Sequence, residues 1–375
     1  MHKKYLRISL SIIFGILFFI SIINFIVDPG KIYLTKKMND YYTNQYISKL
    51  KKANNGLVQN DWNERTVKTA FAKNFIDNDC VILGSSHIMG ISSVRNTGNI
   101  TNQCKKVLNL GVSGGSIEDM FVFSNIILSK KILPNQVFLS IDPWTLKFDM
   151  DIRYLMNKDY YVEMLKKLDI VMEIDNSYEN KVLKNLINKE YFLKSIELLR
   201  DSNEKLFNFS KIEEVNTTFN MNNGYKKAVT LSDGSHIYAN SWIQKQKESI
   251  KNIPIGGGDY KISGDIYDEK VIDNLEKLIK FYQEGGVKVN FLITPYHPNV
   301  FKQGNTKPVV HMKAITKKVL DLSNKFDILI YGSFNPEMIS CNENEFFDFM
   351  HATSECLNKI DLSGLHTDLD LHSSE

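Results

Sequence analysis

Cys80-Val81-Ile82-Leu83-Gly84-Ser85-Ser86-His87 decides the fold: a short apolar run closes on a glycine, and a pair of hydroxyls opens whatever follows. A run of this length, bounded by a turn residue, reads as a strand buried on both faces. The same punctuation returns downstream. Val107-Leu108-Asn109-Leu110 ends at Gly111 and Gln136 to Ile141 ends at Asp142. Val287 to Thr294 follows a helical stretch around Asp268 to Glu284, and Phe326 to Tyr331 follows another around Pro308 to Asn324. Strands alternating with helices in this way predict βα units around a parallel sheet, an α/β fold.

Toward the N-terminus, Ile8 to Val27 reads ISLSIIFGILFFISIINFIV, without a charge. About twenty apolar residues in a helix cross roughly 30 Å of hydrocarbon. Lys3, Lys4 and Arg7 precede the segment, and the side rich in Lys and Arg stays in the cytoplasm. Residues 1–7 are therefore expected inside, residues 8–27 in the cytoplasmic membrane as a single pass, and the rest outside. The run ends in Asn24-Phe25-Ile26-Val27-Asp28-Pro29 rather than a small-x-small cleavage site, which favours an anchor over a signal peptide. Residues 28–79 are mixed and polar and read as a stalk with some helix.

The main domain is expected to span residues 80–360, interrupted by a mainly helical insertion at 150–255. The insertion's clearest element is a helix around Tyr178 to Arg200, where Val182, Leu183, Leu186, Ile187, Leu193 and Ile196 recur at helical spacing. Such a helix either lids the strand ends or packs on the core. Residues 361–375 read as a solvated tail; His366, Asp368, Asp370 and His372 there are of metal-binding type, but the solvated tail is expected over a preformed site.

Charge excludes one class of partner. The chain holds 46 basic and 43 acidic residues, and three of the basic ones precede the apolar segment, leaving 43 of each beyond it. A balanced domain has no general attraction for nucleic acid. The four cysteines, Cys80, Cys104, Cys341 and Cys356, show no C-x-x-C spacing, so no zinc site is indicated. Free thiols and disulfides both remain open, with three complete pairings; a Cys341 to Cys356 bridge closes a short loop.

Chemistry concentrates at the strand ends, where open α/β sheets place ligands. Ser86 follows the first strand, at the start of a helix whose N–H dipoles favour developing negative charge; read alone, it is an ordinary N-cap. Asn109-Leu110-Gly111-Val112-Ser113-Gly114-Gly115-Ser116 is a Gly-rich turn that lets backbone N–H groups approach a substrate oxygen. It lacks a P-loop lysine, and no cofactor is called for. Asp348-Phe349-Met350-His351 supplies a base and a carboxylate to orient it, best served by a loop leading into a helix. Among the other histidines, His87 is expected to point along the helix that it opens. His297, in Thr294-Pro295-Tyr296-His297-Pro298, is the rival base, without a carboxylate at motif spacing.

These blocks, in this order, resemble the SGNH or GDSL-like hydrolases, in the branch of membrane-anchored proteins of teichoic-acid D-alanylation and polysaccharide O-acetylation. The similarity covers roughly Val81 to Ile360, with the insertion unmatched. It implies a three-layer, flavodoxin-like parallel sheet with helices on both faces. It carries the nucleophile onto Ser86, the base onto His351 and the orienting carboxylate onto Asp348, with the oxyanion hole formed by the N–H groups of Ser86 and Gly114. One block departs: Ser140-Ile141-Asp142-Pro143-Trp144 stands where Gly-x-Asn is expected. Asp142, Trp144 and His297 are then candidates for holding substrate. The resemblance implies a serine esterase or O-acyltransferase acting on cell-envelope polysaccharide, with a membrane partner to supply the acyl group. A catalytically silent glycan-binding or scaffold protein is the alternative.

Overall fold

Each of the five apolar runs becomes a strand, and all five pair in parallel. The computed structural model describes residues 2–29, 33, 36–53, 56–58, 64–74, 79–95, 99–148, 151–171, 183–201, 228–250 and 265–361. The tail motif at 366–372 lies outside them.

Helix α1 (His2–Val27) is the one described helix long and apolar enough to cross a membrane. Helix α2 (Lys36–Leu50), strand β1 (Leu57–Val58) and helix α3 (Glu64–Asn74) follow. The sheet begins with β2 (Cys80–Leu83), continues through the short α4 (Asn99–Asn102) to β3 (Val107–Asn109), and then through α5 (Ile117–Leu128) to β4 (Gln136–Ser140). The insertion carries α6 (Lys158–Lys167), α7 (Lys189–Asp201), β5 (Val229–Thr230), β6 (His236–Ile237) and α8 (Asn240–Ile250). Helix α9 (Glu269–Glu284) leads into β7 (Lys288–Ile293), α10 (Lys307–Phe326) into β8 (Leu329–Gly332), and α11 (Ser354–Leu357) comes last.

The sheet order is β3-β2-β4-β7-β8. Sheet growth therefore reverses between β2 and β4, and open α/β sheets bind their ligands beyond the carboxyl ends of the strands at such a switch point. Because strand side chains alternate between faces, Val81, Leu83, Val137, Leu139, Phe291 and Ile293 enter one core with α3, α5, α6, α9 and α10. Cys80, Ile82, Phe138, Leu292 and Tyr331 enter the other, covered among the described residues by 3₁₀ turns, α4, α11 and their loops. Both disulfides, Cys80 to Cys104 and Cys341 to Cys356, staple this second face. The spacing had left three pairings open; the Cα separations of 5.8 Å for Cys80 to Cys104 and 5.4 Å for Cys341 to Cys356 select this one.

Three expectations are corrected. Residues 28–79 are not simply a stalk: Tyr46, Ile47, Leu50 and Phe71 are buried in the main core, as are the charged Arg65 and Lys68. Mean hydropathy misses this segment because part of what it buries is charge held in pairs. The helix expected around Tyr178 to Arg200 is interrupted: residues 183–186 are helical, then Asn188 caps a new start by accepting from Tyr191 N–H at 3.0 Å. Residues 178–182 lie outside the described set. Finally, the last strand starts at Leu329, because α10 runs through Phe326 and Asp327 turns the chain in the left-handed region (φ 53°).

Candidate active site

Ser86 opens a 3₁₀ turn directly after β2, and its Oγ lies 2.8 Å from His351 Nε2. His351 Nδ1 lies 2.9 Å from Asp348 Oδ2 and 3.1 Å from Oδ1. An ionised carboxylate only accepts, so Nδ1 carries the ring proton and Nε2 is left to accept the Ser86 hydroxyl proton. Asp348 Oδ1 also accepts from the backbone N–H groups of Met350 and His351, both at 2.7 Å. Burial works to raise the Asp348 carboxyl, but the hydrogen bond and charge of His351 and these two N–H groups outweigh it and hold it below the usual carboxylate range.

The segment is a loop, as the short Asp side chain requires. A bridge between Phe346 and Ala352 closes it, with Phe347 N–H donating to His351 O at 2.9 Å, and α11 follows. The Cys341 to Cys356 disulfide ties its two ends.

Gly114 sits at the head of the Gly-rich turn with φ +60°, a conformation favouring glycine. A side chain on Gly115 would run into the backbone of Gly84 and Ser85, so glycine here lets the turn close on the nucleophile strand. Among the described residues, the N–H groups of Ser86 and Gly114 donate to no acceptor. Helix α3 braces the turn. Glu64 accepts from Ser113 N–H at 2.7 Å, and Lys68 donates to Asn109 O at 3.0 Å. Arg65 forms a two-pronged pair at 2.7 Å with Asp119, which in turn caps Ser116 N–H at 3.2 Å.

The remaining candidates divide. Trp144 is half-buried near the nucleophile turn: its indole N–H donates to Gly115 O at 3.0 Å and its ring packs edgewise on His87. Asp142 is fully buried, so it does not face substrate. Its Oδ1 lies 2.9 Å from His87 Nδ1, close but without hydrogen-bond alignment. His87 therefore turns inward instead of along its helix, and its ring also meets that of His351, centroids 4.9 Å apart. His297 is buried against Phe346, accepts from Asn299 N–H through Nδ1, and donates its backbone N–H to Phe349 O. It supports the base loop and does not approach Ser86 as a rival base.

Sequence reasoning missed the insertion's contribution. The Tyr238 hydroxyl donates to Ser86 O at 3.0 Å, and burial, then the charges of Glu64 and Asp348, push that hydroxyl above its ordinary range. Tyr238 and Trp242 stack at 4.6 Å, and the Trp242 ring lies 5.9 Å from that of His351. Asp233 gathers Ser92, Ser93 and Val94 from the segment after the nucleophile. The only advance signal was a Tyr and a Trp four residues apart in an otherwise unremarked stretch. A hydroxyl, an oriented base, two free N–H donors and an aromatic wall can together attack a carbonyl and hold the anion that forms. No protein-family model and no curated protein matches this chain.

Proposed function

We propose that this chain is a membrane-anchored serine acyl-ester transferase or esterase of SGNH type, working outside the cytoplasm on cell-envelope polysaccharide. One observation carries the reading: the continuous hydrogen-bonded relay Ser86, His351, Asp348. Ser86 Oγ attacks the ester carbonyl while His351 Nε2 takes its proton. The tetrahedral oxyanion is held by the N–H groups of Ser86 and Gly114. Collapse expels the alcohol, which regains a proton from His351, and leaves an acyl-serine. A glycan hydroxyl or water, deprotonated by His351, then releases the acyl group.

Two disulfides support the oxidising side of the membrane, and the Lys3, Lys4, Arg7 cluster supports an inside N-terminus. The stacked Tyr238 and Trp242 give a sugar ring an apolar face beside the base. Transfer to glycan, with an acyl donor supplied by a membrane partner, rests on the resemblance. With Asp142 where an asparagine donor is expected, the hole has two donors, and a missing donor costs about 10²- to 10³-fold in rate. The alternative, a silent glycan-binding scaffold, draws on that loss; the assembled relay favours the enzyme.

The test is fluorophosphonate labelling of the purified protein. Labelling of wild type that disappears in Ser86→Ala and His351→Ala supports the reading. A folded wild type that takes no label, yet binds glycan, would transfer the weight to the scaffold.

A further inference from the structure

Helix α7 carries an apolar flank that the core does not cover. Leu193 is 55% and Ile196 37% exposed, and just before the helix Leu183 is 59% and Ile187 54% exposed. The other side of the helix is fixed to the end of α1. Asn24, buried although it lies within the apolar segment, donates to Asn185 O at 3.2 Å and Leu186 O at 2.9 Å and accepts from Ser195 Oγ at 3.0 Å. Four residues on, about 6 Å along the helix axis, Asp28 accepts from the Tyr191 hydroxyl at 2.6 Å. The Tyr33 ring packs edgewise on that of Tyr191 and lies tilted against Phe25.

We infer that residues 183–201 form an interfacial element lying in the outer membrane–water boundary, with Leu183, Ile187, Leu193 and Ile196 turned into lipid. The inference rests on α1 spanning the membrane and is independent of the chemistry at Ser86. Three observations name lipid as the occupant. The flank lies on a helix packed against the end of α1, at the height where that apolar helix finishes. Paired Tyr33 and Tyr191 stand at the same height, where tyrosines collect at bilayer interfaces. Basic residues also line the flank: at 100° per residue, Lys189 and Arg200 fall between Ile196 and Leu193, at the two ends of the helix, while Glu197 falls about 40° from Leu193 at the flank's edge and Glu190 and Lys194 farther round. Basic side chains with long stems reach from an apolar face to phosphate headgroups. The buried Asn24 has a physical reason in this arrangement, since a polar group in that segment needs protein partners.

The test places single nitroxides at Leu193→Cys, Ile196→Cys, Lys194→Cys and Phe14→Cys on the full chain, its native cysteines paired, in phosphatidylcholine/phosphatidylglycerol vesicles. Relaxation is read with oxygen, which concentrates in lipid, and with a water-soluble nickel chelate. Positions 193, 196 and 14 are expected to favour oxygen and position 194 the chelate. Chelate access at 193 and 196 with oxygen access at 14 would overturn this inference alone. Chelate access at 14 as well would overturn the anchor and this inference together. Dipolar broadening at 193 and 196 would overturn it in favour of a second copy of the chain on the same flank. Fluorophosphonate labelling of the same preparations reports the Ser86 chemistry separately.

Discussion

The two faces of the sheet are built differently. One is covered by α5, α9 and α10, helices of 12, 16 and 20 residues that bury a continuous apolar core. The other is covered by α4 and α11, four residues each, with 3₁₀ turns and two disulfides. The nucleophile turn and the base loop both pack on this thin face, through Ile88 and through Phe346 and Ala352. Long helices hold a scaffold by area, but a relay needs individual atoms placed to a few tenths of an ångström. On the thin face, cross-links and directed hydrogen bonds do that placing.

The comparison can be broken at several strengths. Ser86→Ala is expected to lower ester turnover by about 10⁶-fold and His351→Ala by a similar factor, since such residues act as a unit. Steady-state kinetics checks this, with the melting temperature unchanged. Asp348→Asn leaves the ring without its carboxylate and should lower kcat by about 10⁴-fold. An effect below tenfold would mean that the loop backbone alone orients His351.

Next come the two faces themselves. Replacing Cys341 and Cys356 together by Ser removes a bridge with a sequence separation of 15. It should destabilise by about 3 kcal/mol and lower kcat as well. Leu278→Ala, in the buried face of α9, should destabilise by about 2–5 kcal/mol while leaving kcat of the folded fraction unaltered. Denaturant titration beside kinetics separates the two; equal effects on kcat would erase the distinction.

A smaller effect concerns the polar brace between α3 and the insertion. Burial pushes the Lys68 ammonium down to about 8. The unfolded chain then binds more protons between pH 8 and 10.5, so stability rises with pH across that window, and Lys68→Met should flatten the slope. Burial, then the Lys68 charge, holds His236 well below 6.5. Stability from this residue is therefore present above pH 6.5 and declines as the unfolded chain takes up a proton below it. The smallest expected change is Tyr238→Phe, which removes one hydrogen bond to Ser86 O and should lower kcat about fivefold, near 1 kcal/mol, with KM nearly constant.

By itself, the sequence determined the five strands and the apolar helix, and singled out Ser86, Gly114, Asp348 and His351 as candidates. Each is written in local signals: apolar run, glycine, spacing and order. Only the tertiary structure decided what reaches across the chain. It joined Ser86 to a base 265 residues away, chose the disulfide pairing, and turned His87 inward to Asp142. It also brought α3 and Tyr238 to brace the site, from segments that read as stalk and insertion. The physical reason is that a buried ion pair such as Arg65 with Asp119, or a side-chain bond to a distant carbonyl, leaves no periodicity to read. Its partners are set by packing, and hydropathy counts them as surface.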